Sequence, residues 1–119
     1  MNTPNTFVID LSYLHSVTGG DRNFEKMLLI NALADIQNNI SALQGAWAKR
    51  DAATVSSAAH TLKSVTAIAG LSPLAELCKK VNLIFRDGVF RMEGEKNLKE
   101  IIDSWTSARP GLEEVITTY

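Results

Sequence analysis

The sequence contains little of what small proteins use to cross-link their folds or to bind nucleotides. Its single cysteine, Cys78, cannot form an internal disulfide, and no cluster of Cys and His residues has zinc-binding spacing. There is also no P-loop and no glycine-rich nucleotide loop. We therefore expect an ordinary hydrophobic core to hold the fold together, in a reducing compartment.

The charge balance and the lack of long apolar runs exclude two further classes of protein. Twelve Lys and Arg residues against thirteen Asp and Glu residues leave a formal net charge of −1, without the basic excess that binding to a phosphate backbone needs. No stretch approaches the ~18 apolar residues of a membrane span, and residues 1–6 lack the pattern of a secretory signal. We expect a soluble, cytoplasmic protein that binds neither nucleic acid nor membranes.

Proline and glycine are scarce, which favours helices over many short strands. The three prolines and seven glycines fall mostly between segments whose apolar residues recur every three or four positions. The length of 119 residues predicts a single domain over residues 1–119. We expect its core to span about residues 8–118 and residues 1–6 to form a flexible tail.

The periodic segments predict five helices. Asp10, Asp21 and Asp51 are the expected N-caps of the first three, and Ser72 followed by Pro73 is the expected start of the fourth. Short connections between the second, third and fourth helices make them antiparallel neighbours. The predicted fold is all-α: an antiparallel four-helix bundle with a short extra helix at the N-terminus.

Three details of this bundle are less regular. The fifth helix contains Pro110, so we expect a kink or a break there. Met27, Ile30 and Ala34 form an apolar strip on the outer side of the second helix, and we expect the first helix to cover it. The alternative is that a helix of a partner docks there. His15 is expected to anchor the first helix.

His60 is the most informative residue, because it points away from the core of the third helix. At 100° per residue, the apolar residues of that helix lie about 140–220° from His60. Lys63, one turn away, is the long cationic side chain nearby. The other neighbours on this face are small: Ser56, Ser57, Ser64 and Ala67. We expect His60 to stand above a flat surface that another protein approaches.

Geometry separates the chemistries that use a histidine. Metal binding needs further ligands, and the other histidine, His15, has no carboxylate at a metal-binding spacing. A catalytic triad needs an activated Ser or Cys, but Cys78 lies on a buried stripe. Acid–base catalysis on a small substrate needs a pocket. Two interpretations are left: a nucleophilic nitrogen that receives a group from a partner, and a surface histidine without a chemical role.

The segment 59–64 (AHTLKS), followed by Gly70 and Leu71, resembles the signature of histidine-containing phosphotransfer (HPt) domains. That signature has the histidine, an apolar residue at +2, lysine at +3 and glycine at +10. Residues 10–14, residues 19–21 and Asp51 are also similar to that family. The departure is Ser64, where the family usually has glycine.

The resemblance implies a carrier in a phosphorelay. His60 would accept a phosphoryl group from an aspartate of one receiver domain and pass it to another receiver, and Lys63 would offset the phosphoryl charge. The protein would have no cofactor and no ATP site of its own, and Mg²⁺ would be held by the receiver. Its partners would be response-regulator receiver domains or a hybrid sensor histidine kinase, and we expect a monomer. The alternative is a pseudo-HPt adaptor that binds such domains without being phosphorylated.

Residues near His60 are candidates for partner binding. The hairpin of the second and third helices places Asp35 and Asn38 close to the level of His60. Gly70 is expected to be structural, either ending the third helix or allowing close packing. The predicted partner-binding set is Asp35, Asn38, Ser56, Ser57, Ser64 and Ala67.

Overall fold

The computed structural model describes residues 9–119, and between these residues all regular structure is helical. The all-α prediction is therefore confirmed, whereas the tail predicted for residues 1–6 lies outside the described residues. None of the helices within 9–119 has the length and apolarity to cross a membrane. The elements are α1 (Ser12–Thr18), α2 (Arg22–Ala48), α3 (Ala52–Ile68), α4 (Ser72–Phe85), a short 3-10 helix (Met92–Gly94) and α5 (Glu95–Thr117).

The N-caps of α2 and α3 are the predicted aspartates. The side chain of Asp21 accepts a hydrogen bond from the backbone N–H of Phe24, and that of Asp51 accepts one from the N–H of Thr54, both at 3.1 Å. Each carboxylate thus satisfies one of the donors that a helix start leaves without a partner. These local contacts explain why both helices begin where the sequence predicts.

The other two predicted starts are displaced by one residue. Asp10 accepts a hydrogen bond from the N–H of Ser12 at 2.9 Å, but it lies just outside the N-cap of α1. The N-cap of α4 is Leu71, so that Ser72 and Pro73 already lie inside the helix. Proline fits there because the first turn of a helix does not use its backbone N–H groups.

α5 runs through Pro110 without a break. Of the two alternatives predicted at this proline, the break is therefore excluded. Trp105 and Leu112, one on each side of the proline, are both buried, with 6% and 0% of their surface exposed. Because the two halves pack in the same phase, their burial outweighs the loss of one backbone hydrogen bond at the proline.

The bundle is arranged around α3, which packs against both α2 and α4, while α5 closes the bundle against α2 and α4. An aromatic cluster fills the end where α2 and α4 finish. Trp47 contacts Phe85 and Phe90 with ring centroids 5.6 and 4.7 Å apart, distances typical of favourable aromatic pairs. The predicted antiparallel four-helix arrangement is confirmed.

The apolar strip on α2 is not covered by α1, which corrects the prediction. Met27 and Ile30 are 51% and 46% exposed in the structure, and Ala34 is exposed as well. α1 has seven residues and buries only Leu14 among them. α1 is too short to cover the strip. Val17 of α1 is exposed as well.

A buried carboxylate joins α1, α2 and the segment after α5. Glu25 of α2 is 1% exposed, and it accepts hydrogen bonds from His15 Nδ1 at 2.6 Å, Thr18 Oγ1 at 2.7 Å and the hydroxyl of Tyr119 at 2.9 Å. The hydrogen bond from His15, followed by that from Thr18, lowers the pKa of Glu25 from 4.5 to about 2, in spite of burial. His15 thus anchors α1, as predicted.

Acid should weaken the fold through Glu25. Since its pKa is lowered in the folded state, ionised Glu25 stabilises the protein fully above about pH 4.5, and this contribution is lost as the pH falls through about 2. We expect the free energy of unfolding of Glu25→Gln to depend less on pH over this interval than that of the wild type. Urea unfolding followed by circular dichroism at a series of pH values measures it. Glu100→Gln on the exposed face of α5 controls for the loss of one carboxylate, and equal slopes for all three proteins would contradict the prediction.

Gly70 ends α3 and also allows a close backbone approach. Its φ is +77°, and a Cβ atom at this position would lie 2.5 Å from the backbone oxygen of Asp10. The N–H of Asp10 in turn donates to the carbonyl of Gly70 at 3.0 Å. The two roles expected of this glycine, helix ending and close packing, thus occur together.

Gly88 offers a matched comparison for Gly70, because its φ is +82° and a Cβ atom there would meet no other atom within 4 Å. We expect Gly88→Ala to cost about 1 kcal/mol of folding free energy for the left-handed backbone alone. Gly70→Ala should cost roughly 1–3 kcal/mol more, because the added methyl group collides with Asp10. Chemical denaturation of both variants tests this. Equal losses would show that the Asp10 segment moves away freely.

Candidate functional site

His60 lies at the middle of α3 and is exposed, while its neighbours Ala58, Ala59 and Leu62 are buried. The core of the bundle therefore fixes the helix from which the imidazole projects. Lys63, one turn later, is half-buried, and its aliphatic stem covers part of the helix surface. Its ammonium group stands on the same side of α3 as the imidazole.

The surface beside His60 is open to solvent and contains a shallow depression. An open hollow of about 440 Å³ lies between α3 and α4. Its α4 wall consists of Asn82 and Arg86, two residues that the sequence analysis missed. The full lining is Ala53, Ser56, Ser57, His60, Lys63, Asn82 and Arg86.

Hydrogen bonds between α3 and α4 form the wall of this hollow. The side-chain amide of Asn82 donates to the backbone carbonyl and to the hydroxyl oxygen of Ser56, both at 3.1 Å. Ser56 is half-buried, and its hydroxyl is already engaged by Asn82 of α4 in the free protein. Because this pair joins the two helices, it also fixes the position of α4 relative to His60.

A second hollow lies on the other side of Lys63. It has a volume of about 510 Å³ and is lined by Tyr13, Lys63, Ser64, Ala67, Ile68 and Ser72. Lys63 therefore stands between the two hollows. Tyr13, which the sequence analysis did not select, brings α1 to the edge of the site. Ser64 is exposed and Ala67 is half-buried, so the predicted small neighbours do form an accessible surface.

Asp35 and Asn38 of α2 line neither hollow. Both are exposed, and the backbone carbonyl of Asp35 accepts a hydrogen bond from the side chain of Asn39 at 2.9 Å within α2. The hollow beside His60 takes its second wall from α4 instead. The α3–α4 hairpin would have indicated this wall, since Ser56 lies 13 residues before Ala69 and Asn82 lies 12 residues after Gly70, at nearly the same distance from the turn.

The charges around the first hollow are of one sign. Lys63 and Arg86 contribute two cations to its lining, and the lining residues include no carboxylate. Within residues 9–119, no three His, Cys, Asp or Glu side chains lie close enough together to hold a metal ion. The arrangement offers an exposed imidazole nitrogen as a nucleophile and two cations that favour a bound anion.

The bundle and the exposed histidine define a class of protein, and comparison with known families agrees. Residues 27–114 match the model of the Hpt domain family. The chain therefore belongs to the Hpt domain family, whose function is histidine phosphotransfer in phosphorelays. The matched region begins within α2, so it contains His60 and Lys63 but neither α1 nor Glu25.

Two solved structures share the fold. The histidine-containing phosphotransfer protein B (HptB) of Pseudomonas aeruginosa has a TM-score of 0.81 and 20% identity, over 93% of this chain and 96% of that chain. The HPT domain of an Hpt sensor hybrid histidine kinase from Shewanella has a TM-score of 0.81 and 17% identity, over 93% and 95%. At these identities the likeness establishes the bundle.

One curated relative is a phosphorelay regulator. Multistep phosphorelay regulator 1 of Schizosaccharomyces pombe is 28% identical over 86 residues, which are 69% of this chain and 29% of that protein. The chain thus spans less than a third of the length of this relative.

Proposed function

We propose that His60 is the residue that carries the phosphoryl group, accepting it from a phosphorylated aspartate of one receiver domain and passing it to another. The single observation that carries this proposal is the exposed imidazole in a hollow that also contains Lys63 and Arg86. An imidazole nitrogen forms a bond to phosphorus while the bond from phosphorus to the aspartyl oxygen breaks, and the aspartate leaves as a carboxylate. The second ring nitrogen keeps its proton or releases it to solvent.

Two cations support this role. A phosphoryl group on His60 carries negative charge that the bare neutral ring lacks, so Lys63 and Arg86 favour the phosphorylated state over the free one. Mg²⁺ and the acidic pocket that complete the reaction belong to the receiver. The chain then needs no cofactor and no ATP site of its own, and we expect it to act in the cytoplasm as a monomer.

The receiver's docking surface extends from the site towards α1 and α2. Tyr13 lines the hollow next to Lys63 and Ser64, and it is 56% exposed. Val17 of α1 and Met27 and Ile30 of α2 are further exposed apolar side chains on these two helices. We name Tyr13, Val17, Met27 and Ile30 the apolar patch. Because it begins at the edge of the site, a receiver bound at His60 can bury it in the same complex.

Substituting His60 tests the acceptor directly. We expect His60→Gln to keep its helical fold and thermal stability, since the ring is exposed, and to lose all phosphoryl uptake from a phosphorylated receiver. Uptake is measured as acid-labile, base-stable label on the protein after incubation with each of a panel of phosphorylated receivers. His15→Gln removes the other histidine and should still take up label when the phosphorylated receiver is present at a saturating concentration.

The results of this experiment separate the two candidate roles. Label on His60→Gln would place the acceptor elsewhere and contradict the proposal. Receiver binding by the wild type without any label would identify a pseudo-HPt adaptor instead.

The two cations can be tested for a role in transfer rather than in binding. A transition-state contact with the phosphoryl group of about 1.5–3 kcal/mol corresponds to roughly 10- to 100-fold in rate. Because solvent screens both cations, we expect Lys63→Ala and Arg86→Ala each to slow phosphoryl transfer to His60 by about tenfold, which is the lower end of this range. The affinity for an unphosphorylated receiver should change less. Rapid-quench transfer kinetics and calorimetric titration measure the two quantities.

Lys79→Ala is the matched control for the two cations, because Lys79 is an exposed cation of α4 that lines neither hollow. It should transfer at close to the wild-type rate. If Lys63→Ala transfers at the wild-type rate but binds receivers several-fold more weakly, Lys63 is a docking residue.

A further inference from the structure

Three hydrogen-bond donors from two distant parts of the chain converge on Glu25. His15 and Thr18 belong to α1, and Tyr119 follows α5. We name His15, Thr18, Glu25 and Tyr119 the carboxylate latch. Glu25 is 1% exposed, and a buried carboxylate is tolerated only when hydrogen bonds or charges compensate for its lost hydration. Removing a donor therefore leaves the buried carboxylate with fewer partners and weakens the latch.

A second contact holds Tyr119 in the latch. The guanidinium of Arg22 lies 4.5 Å from the centre of the Tyr119 ring and donates to the backbone carbonyl of Thr118 at 3.1 Å. The ring thus packs under a cation from the first turn of α2 while its hydroxyl reaches Glu25. The end of the chain described here is in this way tied to the beginning of α2.

The position of α1 depends on few contacts besides the latch. α1 has seven residues, its N-cap makes no side-chain hydrogen bond, and Leu14 is its only buried side chain. A helix of two turns is not stable on its own. Besides the latch, α1 is held by Leu14 in the core and by the segment before it, where the N–H of Asp10 donates to Gly70 and where Leu11 packs against the core. The latch adds the contacts of His15 and Thr18.

α1 contributes two of the four side chains of the apolar patch. Tyr13 and Val17 of α1 are 56% and 47% exposed, and Met27 and Ile30 of α2 are 51% and 46% exposed. Tyr13 additionally lines the hollow beside Lys63. A change in the orientation of α1 would separate these two side chains from the rest of the patch without touching His60.

We propose that the carboxylate latch positions α1 for partner docking, so that the apolar patch is assembled before the receiver arrives. This rests on the proposed function, since the occupant of the patch is the receiver that exchanges phosphoryl groups with His60. His15, Thr18, Glu25 and Tyr119 are positioning residues: they set the affinity for the receiver and take no part in phosphoryl transfer. Because the latch already orders α1 in the free protein, less conformational entropy is lost when the receiver binds.

Two phosphoryl donors separate docking from chemistry. Phosphoramidate is a small donor that labels the imidazole as its own P–N bond breaks and ammonia leaves, and it needs no docking surface. A phosphorylated receiver with Mg²⁺ needs both the surface and His60. The variants are Tyr119→Phe, which removes only the hydroxyl, and Thr18→Ala, with Thr18→Ser as the conservative variant that restores the hydroxyl donor.

A receiver that labels or binds the wild type is the probe for all variants. If a weakened latch leaves α1 in its docking position about a fifth of the time, the dissociation constant of the receiver complex rises about fivefold. We expect the KM for the phosphorylated receiver to rise about fivefold in Tyr119→Phe and Thr18→Ala, at an unchanged rate under saturation. Thr18→Ser should stay near the wild type. Labelling by phosphoramidate should be the same in every protein.

His15→Ala and Ser16→Ala are matched truncations on α1. Both positions are exposed, and the hydroxyl of Ser16 donates to the carbonyl of Tyr13 within α1 itself. Only the His15 side chain reaches another helix. We expect His15→Ala to weaken receiver binding and Ser16→Ala to leave it unchanged, with amide hydrogen exchange of α1 accelerated in the first variant only.

Several outcomes would overturn the proposal. Receiver affinities equal to the wild type in all latch variants would make the latch purely structural. An equal fall in labelling by phosphoramidate would show that the variants act on His60 or on the whole fold. Failure of the proposed function is visible separately, as a wild type that binds the receiver but takes no label from it, and binding by the variants still decides the role of the latch. A wild type that does not bind any receiver overturns both.

Discussion

The packing of α3 between α2 and α4 is the constraint on which the candidate site depends. Val55, Ala58, Ala59 and Leu62 are buried by these neighbours, and the small alanines let the flanking helices approach closely. α3 cannot turn about its axis without exposing Leu62 and Val55. The core therefore sets the direction in which the His60 side chain leaves the helix. The residues on the same free face of α3 surround it.

The parts of this structure that depend on local sequence could be predicted. Asp21 and Asp51 cap their helices through hydrogen bonds to residues three positions ahead, and such contacts are written in short sequence segments. The exposure of His60 follows from the same helical period that buries Leu62. Short connections make consecutive helices antiparallel neighbours, so the arrangement of the helices can be predicted without knowing individual contacts.

The parts that were missed depend on how the helices are rotated against one another. Asn82 and Arg86 enter the site because the His60 side of α3 faces the hollow shared with α4, whereas the α2–α3 register suggested Asp35 and Asn38. Periodicity reports which face of a helix is buried but not which neighbour buries it. The hydrogen bonds of Glu25 are even harder to predict from the sequence. One of them joins residues that are 94 positions apart, and no pattern in the sequence connects those positions.

An open site suits a group that has to leave again. A deep pocket that bound phosphohistidine tightly would raise the barrier to its loss by the same free energy, because only contacts that are stronger in the transition state accelerate transfer. Lys63 and Arg86 lie on different helices, and the bonds between Ser56 and Asn82 join those helices beside the hollow. On the proposed function, the two cations are screened while the site faces solvent and act more strongly once a docked partner excludes water. If His60 carries the phosphoryl group as proposed, recognition of the partner and stabilisation of the transferred group are coupled through the same hollow.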